Sequence, residues 1–430
     1  MSTTPHTPRW EVVHLDLRTG LADLLPREDV GGLFLVFWWG EVPLGQHEVP
    51  AEALPLPASR LATLAAEAVA PAAAAHLDGD PLADLGLVDP PDLEALDDRL
   101  ALRGADAAAV SVIVCTLDRP ASLARTLASL ARQSHPPREV LVVDNAPASG
   151  RTRPVVDGVP GVRYVPEPRP GLSAARNAGL RAAAGPLLAF TDDDVEVHPG
   201  WVARLSAAFA DPAVDAVTGL VLPAALETEA QLGFQRSAAG FGGGYRPRRF
   251  DAAFFAAAEP RGVPVWEVGA GANMAFRSRV FARHGGFDER LGAGASGCSE
   301  DSELWYRILA EGGVCRYEPA AVVFHHHRRD LAALRRQMRA YLRGHVSALF
   351  AQYGRYRHGG SLRRALLTLP RDYARQIARR FAGGPDDRTA TLSAEVAGLV
   401  EGLLTGWRYL PTRTADVQTR SSAASEPAAP

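Results

Sequence analysis

Between Val110 and Pro223 the chain alternates short apolar runs with helical patterns, and this alternation constrains the fold more than any other feature of its 430 residues. "VSVIVC" is a continuous β-branched run, the pattern of a parallel strand covered on both faces. "ASLARTLASLARQ" follows, with Leu123, Leu127 and Leu130 at helical spacing. "EVLVVD" and "VRYVP" read as strands, "LSAARNAGLRAAA" as a helix, "PLLAF" as a fourth strand, Trp201 to Ala210 as another helix and "AVTGLVL" as the next strand. Strands and helices at these spacings imply βαβ units and an α/β fold built on a doubly wound, mostly parallel sheet. Ligands on such sheets bind beyond the carboxyl ends of the strands, so polar residues there carry the functional information.

The flanking regions differ in texture. Residues 1–76 hold two strand-like runs, "EVVHLDL" and "LFLVFWW", then "GEVPLGQHEVP" with turn chemistry, then an Ala-rich helical pattern from Leu61 to His76. They predict a small α/β or β-rich module with no catalytic constellation. Residues 77–108 have the composition of an acidic, partly helical linker. The α/β domain spans 109–327. Residues 328–410 predict a helical, Arg-rich region, and 411–430 a low-complexity, disordered tail. Arg328 to Arg380 contains fourteen Arg against two acids, Asp330 and Asp372, with Tyr341, Phe350, Tyr353, Tyr356 and Tyr373 interleaved. Such a stretch has three readings: a solvated helical face, a surface that docks on anionic lipid, or a holder for an anionic acceptor.

Net charge is only -3, so the whole-chain balance implies neither a nucleic-acid nor an acidic partner. The chain has no lysine; every basic side chain besides His is Arg. Three scattered cysteines, Cys115, Cys298 and Cys315, argue against a disulfide framework and fit a reducing compartment. The start "MSTTPHTPRW" lacks signal-peptide character, and no run reaches the ~18 apolar residues of a membrane span. The expected location is cytoplasmic, including a peripheral position on the inner face of a membrane.

The strand ends concentrate oxygen ligands. The first strand ends in "CTLDRP", with Thr116 at its tip and Asp118 just beyond; the second ends in "VVDNAP", with Asp144 and Asn145; the fourth ends in "FTDDDV", with Asp192, Asp193 and Asp194. Unpaired carboxylates gathered at one sheet edge raise one another's pKa and cost stability. A divalent cation, Mg²⁺ or Mn²⁺, would relieve this, with substrate phosphates completing its shell.

Taken with "GLSAARNAGLRAAAGPLLAFTDDD" and "GASGCSEDSELWYRIL", the stretch "VSVIVCTLDRPASLARTLASLARQSHPPREVLVVDNA" resembles family 2 glycosyltransferases, inverting bacterial enzymes of the GT-A fold, here with an N-terminal extension. The resemblance covers Val110 to His327. It implies that Thr116, Asp118 and Asp144 hold the nucleotide, with Asp144 accepting from the N3–H of a uracil or thymine ring, and that Arg176 helps. It makes Asp192 to Asp194 the DxD motif: Asp194 as metal ligand, and Asp192 or Asp193 on the ribose. It implies Asp301 as general base, with Glu300 orienting it or replacing it, and a C-terminal His at the metal, His325 first and His327 second. Gly271, Asn273 and Met274 are expected near the sugar or acceptor, and Phe276 and Phe287 in the core. The partners implied are a nucleotide-diphosphate sugar, UDP- or dTDP-linked, and a glycan, lipid-linked or small-molecule acceptor.

Plainer readings exist for each feature. Glu300, Asp301 and Ser302 at a helix start also suit capping. "GAGASG" (Gly292 to Gly297) satisfies GxGxxG, but no strand precedes it, so it reads as a flexible loop over the site. A nucleotidyltransferase on a similar sheet usually needs a glycine-rich basic loop after its first strand and a phosphate-binding lysine, neither of which is present. A non-catalytic, carbohydrate-binding relative is expected to lose the base or the metal ligands, and both Asp194 and Asp301 are present.

Overall fold

The computed structural model describes residues 9–76, 93–103, 106, 109–237, 243–382 and 390–410. The tail 411–430 and most of the acidic linker lie outside the described residues. The N-terminal part consists of β1 (Arg9–Asp16), β2 (Val30–Trp39), β3 (Val42–Pro50) and helix α1 (Ala58–His76), followed by α2 (Leu93–Leu100). The α/β part runs β4 (Val110–Thr116), α3 (Pro120–Leu130), β5 (Glu139–Asp144), α4 (Arg153–Asp157), β6 (Val162–Pro166), α5 (Leu172–Ala182), β7 (Leu187–Asp192) and β8 (Val195–Val197). It continues α6 (Trp201–Ala208), β9 (Val214–Pro223), α7 (Glu229–Arg236), β10 (Arg248–Phe250), α8 (Ala252–Ala258), β11 (Asn273–Arg277), α9 (Ser278–His284), α10 (Glu300–Ala310) and β12 (Val314–His325). Helices α11 (Leu331–Tyr356), α12 (Gly359–Arg363), α13 (Leu369–Phe381) and α14 (Leu392–Thr405) complete the described chain.

The large sheet has the order β10-β12-β9-β11-β7-β4-β5-β6, with β8 paired to β12. Strands β4, β5, β6, β7, β9 and β12 run in one direction, and β11 is an antiparallel insertion between β7 and β9. Period-two alternation serves two cores at once. Ile113 and Cys115 of β4, with Leu188 and Phe190 of β7, face the side covered by α5 and α10. Val112, Val114, Leu187 and Ala189 face Leu123 and Leu127 of α3 and Trp201 of α6. Helices on both faces explain why these strands read as continuous apolar runs.

The N-terminal sheet, order β1-β2-β3, pairs β1 with β2 in parallel and β2 with β3 antiparallel. Strand β3 forms where turn chemistry suggested a loop; Gly45 there lies against α1, where a Cβ would stand 2.5 Å from the Ala68 carbonyl oxygen. On β2, Leu33, Leu35 and Phe37 pack with Leu61, Ala65 and Val69 of α1, whereas Phe34, Val36 and Trp38 join the core of the large sheet. Both faces of β2 are thus buried, and the module is docked on the α/β part.

In the C-terminal region α14 lies along α11. Gly398 and Gly402, four residues apart, permit this: a Cβ on Gly398 would stand 2.1 Å from the Arg339 carbonyl oxygen. Helix α11 in turn supports the segment before α10, since Gly344 faces Cys298 and Gly297 faces the Ala340 carbonyl. Among the described residues no helix is long and apolar enough to cross a membrane.

Candidate active site

The ends of β4 and β7 meet because Cys115 pairs with Asp192 in a parallel ladder. Beyond them, Thr116 Oγ1 donates to Asp193 Oδ2 at 2.7 Å. Arg119, just before α3, places one guanidinium nitrogen 3.0 Å from both Asp193 Oδ1 and Asp194 Oδ2. Asp118 adopts a left-handed backbone (φ 58°) and pairs with Arg151 at 2.7 Å. Thr116 is therefore occupied in holding Asp193, and Asp118 in tethering the loop after β5.

The triplet Asp192 to Asp194 divides by environment. Asp194 Oδ1 lies 3.4 Å from His325 Nε2, brought there by the β8–β12 pairing, and its Oδ2 lies 3.4 Å from Arg328. Burial pushes the Asp194 carboxyl up, but His325, Arg328 and Arg119 outweigh it and hold the group below its ordinary value. Asp193 has less compensation: burial and the Asp194 charge raise it to about 6, against the pull of Arg119 and Thr116. Asp192 is raised by burial, partly offset by Arg176. Three carboxylates and three guanidinium groups, Arg119, Arg176 and Arg328, thus meet at this edge.

On the opposite side, Glu300 and Asp301 open α10 after Ser299, whose left-handed backbone (φ 71°) turns the chain into the helix. Arg176 of α5 ties the two sides together. Its guanidinium pairs with Glu300, lies 3.4 Å from Asp192 Oδ1 and donates to the Gly271 carbonyl at 3.3 Å. Glu300 is 4 % exposed, and burial raises its carboxyl to about 7 despite Arg176. Asp301 is partly exposed; its Oδ1 accepts from the Ser302 N–H at 2.6 Å, and its Oδ2 faces Gly271, where a Cβ would stand 2.8 Å away.

The remaining expected residues are buried. Asn273 pairs with Thr191, next to Asp192, but the side chains of Asn273 and Met274 lie within the sheet. The two residues begin β11, in the middle of the sheet: Met274 packs in the core, and Asn273 bonds Trp201 and the carbonyls of Leu220 and Ala321. The glycine-rich loop ends at Gly271, and the register of β11 turns the next residues inward. Asp144 sits at the tip of β5 but is fully buried, accepting from the Ala146 N–H at 2.9 Å and the Tyr164 hydroxyl at 2.8 Å. His327 turns from Asp194; it contacts His325 Nδ1 at 2.9 Å and Gln235 at 3.1 Å. Burial lowers the pKa of both His325 and His327, that of His327 to about 3. The "GAGASG" segment is anchored: the Leu172 N–H donates to Ala293 and Arg343 to Ser296.

Arg119 and Arg328 enter the site only with the structure, and Asn145, named from the sequence only as a strand-end residue, acquires a role. Asn145 donates to the carbonyls of Glu167 and Arg169 and accepts from Gly171 N–H, fixing the loop that launches α5 and hence Arg176.

The residues fit a divalent cation. Asp194 and His325 offer a carboxylate oxygen and an imidazole nitrogen beside Asp192 and Asp193. Among the described residues no group of three or more His, Cys, Asp or Glu encloses a cation alone; phosphate oxygens commonly supply the remaining positions.

Comparison with known proteins places these elements among the glycosyltransferases. Residues 111–254 match the model of "Glycosyl transferase family 2", and residues 188–378 that of "Glycosyl transferase family group 2". Through this domain the chain is similar to family 2 glycosyltransferases. Similar proteins include the pre-mycofactocin glycosyltransferase of Mycobacterium tuberculosis, 31 % identical over 161 residues, which are 37 % of this chain and 31 % of that one. The validoxylamine A glucosyltransferase of Streptomyces hygroscopicus subsp. limoneus is 40 % identical over 111 residues, 24 % of each chain. The chain thus spans about a third or less of the length of these relatives. Among solved structures, the mannosyltransferase PcManGT of Pyrobaculum calidifontis, in complex with GDP-Man and Mn²⁺, aligns with a TM-score of 0.44 at 19 % identity, over 71 % of this chain and 89 % of that one.

Proposed function

We propose that the protein transfers a sugar from a nucleoside-diphosphate sugar to an acceptor hydroxyl with inversion, with Asp301 as general base. The observation that carries this reading is the link through Arg176 between the Asp192 side and the α10 side, which sets a partly exposed carboxylate, Asp301, across from the acidic strand ends. Inverting transfer needs that opposition: a base deprotonates the acceptor oxygen on one face of the sugar while the diphosphate departs from the other.

Asp301 takes the proton because it is the partly exposed acid of the pair, with its Oδ2 beside Gly271. Glu300, buried and paired with Arg176, orients the start of α10. Asp194 and His325 would hold Mn²⁺ or Mg²⁺, which when bound supplies electrostatic stabilisation to the leaving diphosphate. Arg119 and Arg328, now on Asp193 and Asp194, are within reach of the same charge and add to that stabilisation. Asp192 is placed to receive the ribose. Asp144 is fully buried and held by Tyr164 and the Ala146 N–H, so a bond from it to the N3–H of uracil or thymine, which would favour UDP- or dTDP-sugars over GDP-sugars, requires Tyr164 to move aside when the donor binds. The acceptor is a glycan, a lipid-linked or a small-molecule hydroxyl.

A panel of UDP-, dTDP- and GDP-sugars, assayed for nucleoside-diphosphate release with Mn²⁺ and with EDTA, tests the reading. It requires cation-dependent release from at least one donor. Release of pyrophosphate instead would mark a nucleotidyltransferase.

A further inference from the structure

Among the described residues, the exposed large apolar side chains of the α/β and C-terminal parts include Leu117 after β4, Val400, Leu404 and Trp407 at the C-terminal end, and a further group on the turn before α13 and at its end. Leu366 and Leu367 stand 51 % and 65 % exposed on the turn before α13, and Phe381 at its end is 87 % exposed. On α13, Arg371, Arg375 and Ala378 are exposed at three- and four-residue spacing and share one outward face, and Arg363 and Leu367 are exposed just before and on the π-helical turn Arg364–Thr368 that leads into it. The acid on α13, Asp372, is already paired with Arg375 at 3.3 Å. The inward side is anchored, with Ala365, Leu369 and Tyr373 in a core shared with α11 and α14. The outward face is therefore held rigidly and carries Leu and Phe among guanidinium groups. Such a pattern suits the headgroup boundary of a bilayer, where apolar side chains enter and long basic ones remain with the phosphates.

This face leads to the candidate site. The guanidinium of Arg364 stacks on the exposed ring of Trp266 at 4.0 Å. Trp266 lies on the turn Val265–Glu267, which leads into Gly269 and Gly271, and Gly271 abuts Asp301. An aromatic ring with one edge in solvent suits the membrane–water boundary.

We propose that the Arg363–Phe381 face, continued by Trp266, docks the protein on an anionic bilayer surface and holds the Asp301 side of the site next to that surface. Docking itself does not depend on the assignment of glycosyl transfer, so it can fail or stand independently of it.

Flotation with vesicles of phosphatidylcholine alone, and of phosphatidylcholine with phosphatidylglycerol, tests the proposal. The protein is expected to float with the anionic vesicles, not with the neutral ones, and to be released by high salt. Arg371→Glu with Arg375→Glu lowers the partition coefficient by at least about tenfold, since each Arg near such a surface contributes about fivefold. Leu367→Ser with Phe381→Ser lowers it also, with the melting temperature unchanged. Should a double variant misfold, Phe381→Ser alone carries the test, because that side chain is almost wholly exposed. Equal binding to both vesicles, no binding to either, or variants that float like the parent would overturn the proposal.

Discussion

The guanidinium of Arg176 stands between two carboxylates from opposite sides of the cleft, 3.4 Å from Asp192 Oδ1 at the end of β7 and paired with Glu300 at the start of α10. Removing it leaves both acids without their counter-charge, and Glu300 is already raised to about 7. Arg176→Ala should destabilise the fold by about 3–5 kcal/mol, the usual cost of breaking a buried pair from one side. Arg176→Lys should recover only part, since an ammonium cannot span both partners as a planar fork does. Urea unfolding of the three proteins checks this.

Asp301→Asn keeps size and shape but removes the proton acceptor. Transfer should fall ~10²- to 10⁴-fold while nucleotide binding persists. Glu300→Gln should change stability more than the chemical step, because Glu300 is buried against Arg176. If Glu300→Gln abolished turnover and Asp301→Asn did not, the two roles would be exchanged. Single-turnover rates with calorimetric nucleotide affinities separate the cases.

Gly271 carries no side chain for a steric reason. A Cβ there would stand 2.8 Å from Asp301 Oδ2 and 3.0 Å from Arg176. Gly271→Ala must displace one of them by several tenths of an ångström. Misplacement of ~1 Å can cost about 10² in rate, so kcat should fall by about tenfold or more with little change in nucleotide affinity. Steady-state kinetics against donor concentration reads both.

His345 on α11 sets a pH limit. Its ring meets Trp266 edge-on at 5.3 Å, and burial, with Arg364 beside it, lowers its pKa from 6.5 to about 3. Below 6.5 the unfolded chain binds a proton there that the folded protein refuses, so stability falls as pH drops from 6.5 towards 3. The slope from this residue is up to about 1.4 kcal/mol per pH unit. His345→Phe keeps the ring contact and should flatten the acid side of a stability–pH curve by that amount.

The parallel strands β4, β5 and β7 are readable because each is buried on both faces and spells an uninterrupted apolar run. Strand β11 is not. "NMAFR" is five residues long, follows a glycine-rich loop and inserts antiparallel between strands remote in sequence, so no local pattern announces it. Without β11, the burial of the Asn273 and Met274 side chains inside the sheet could not be read. The triplet Asp192 to Asp194 was visible as a charge anomaly, and the resemblance implied His325 beside it, but Arg119 and Arg328 were not visible, because they reach it from two segments, after β4 and after β12, that only the folded sheet brings together. Asp144 was legible as a strand-end acid, whereas its capture by Tyr164 depends on the β5–β6 register.

The most direct test of the account is calorimetric titration of UDP, dTDP and GDP into the protein, with Mn²⁺ and with EDTA, alongside Asp194→Ala. The account predicts that UDP or dTDP binds more tightly with Mn²⁺ and that Asp194→Ala removes the cation-dependent part. A protein that binds none of the three nucleotides, with or without the cation, would contradict it.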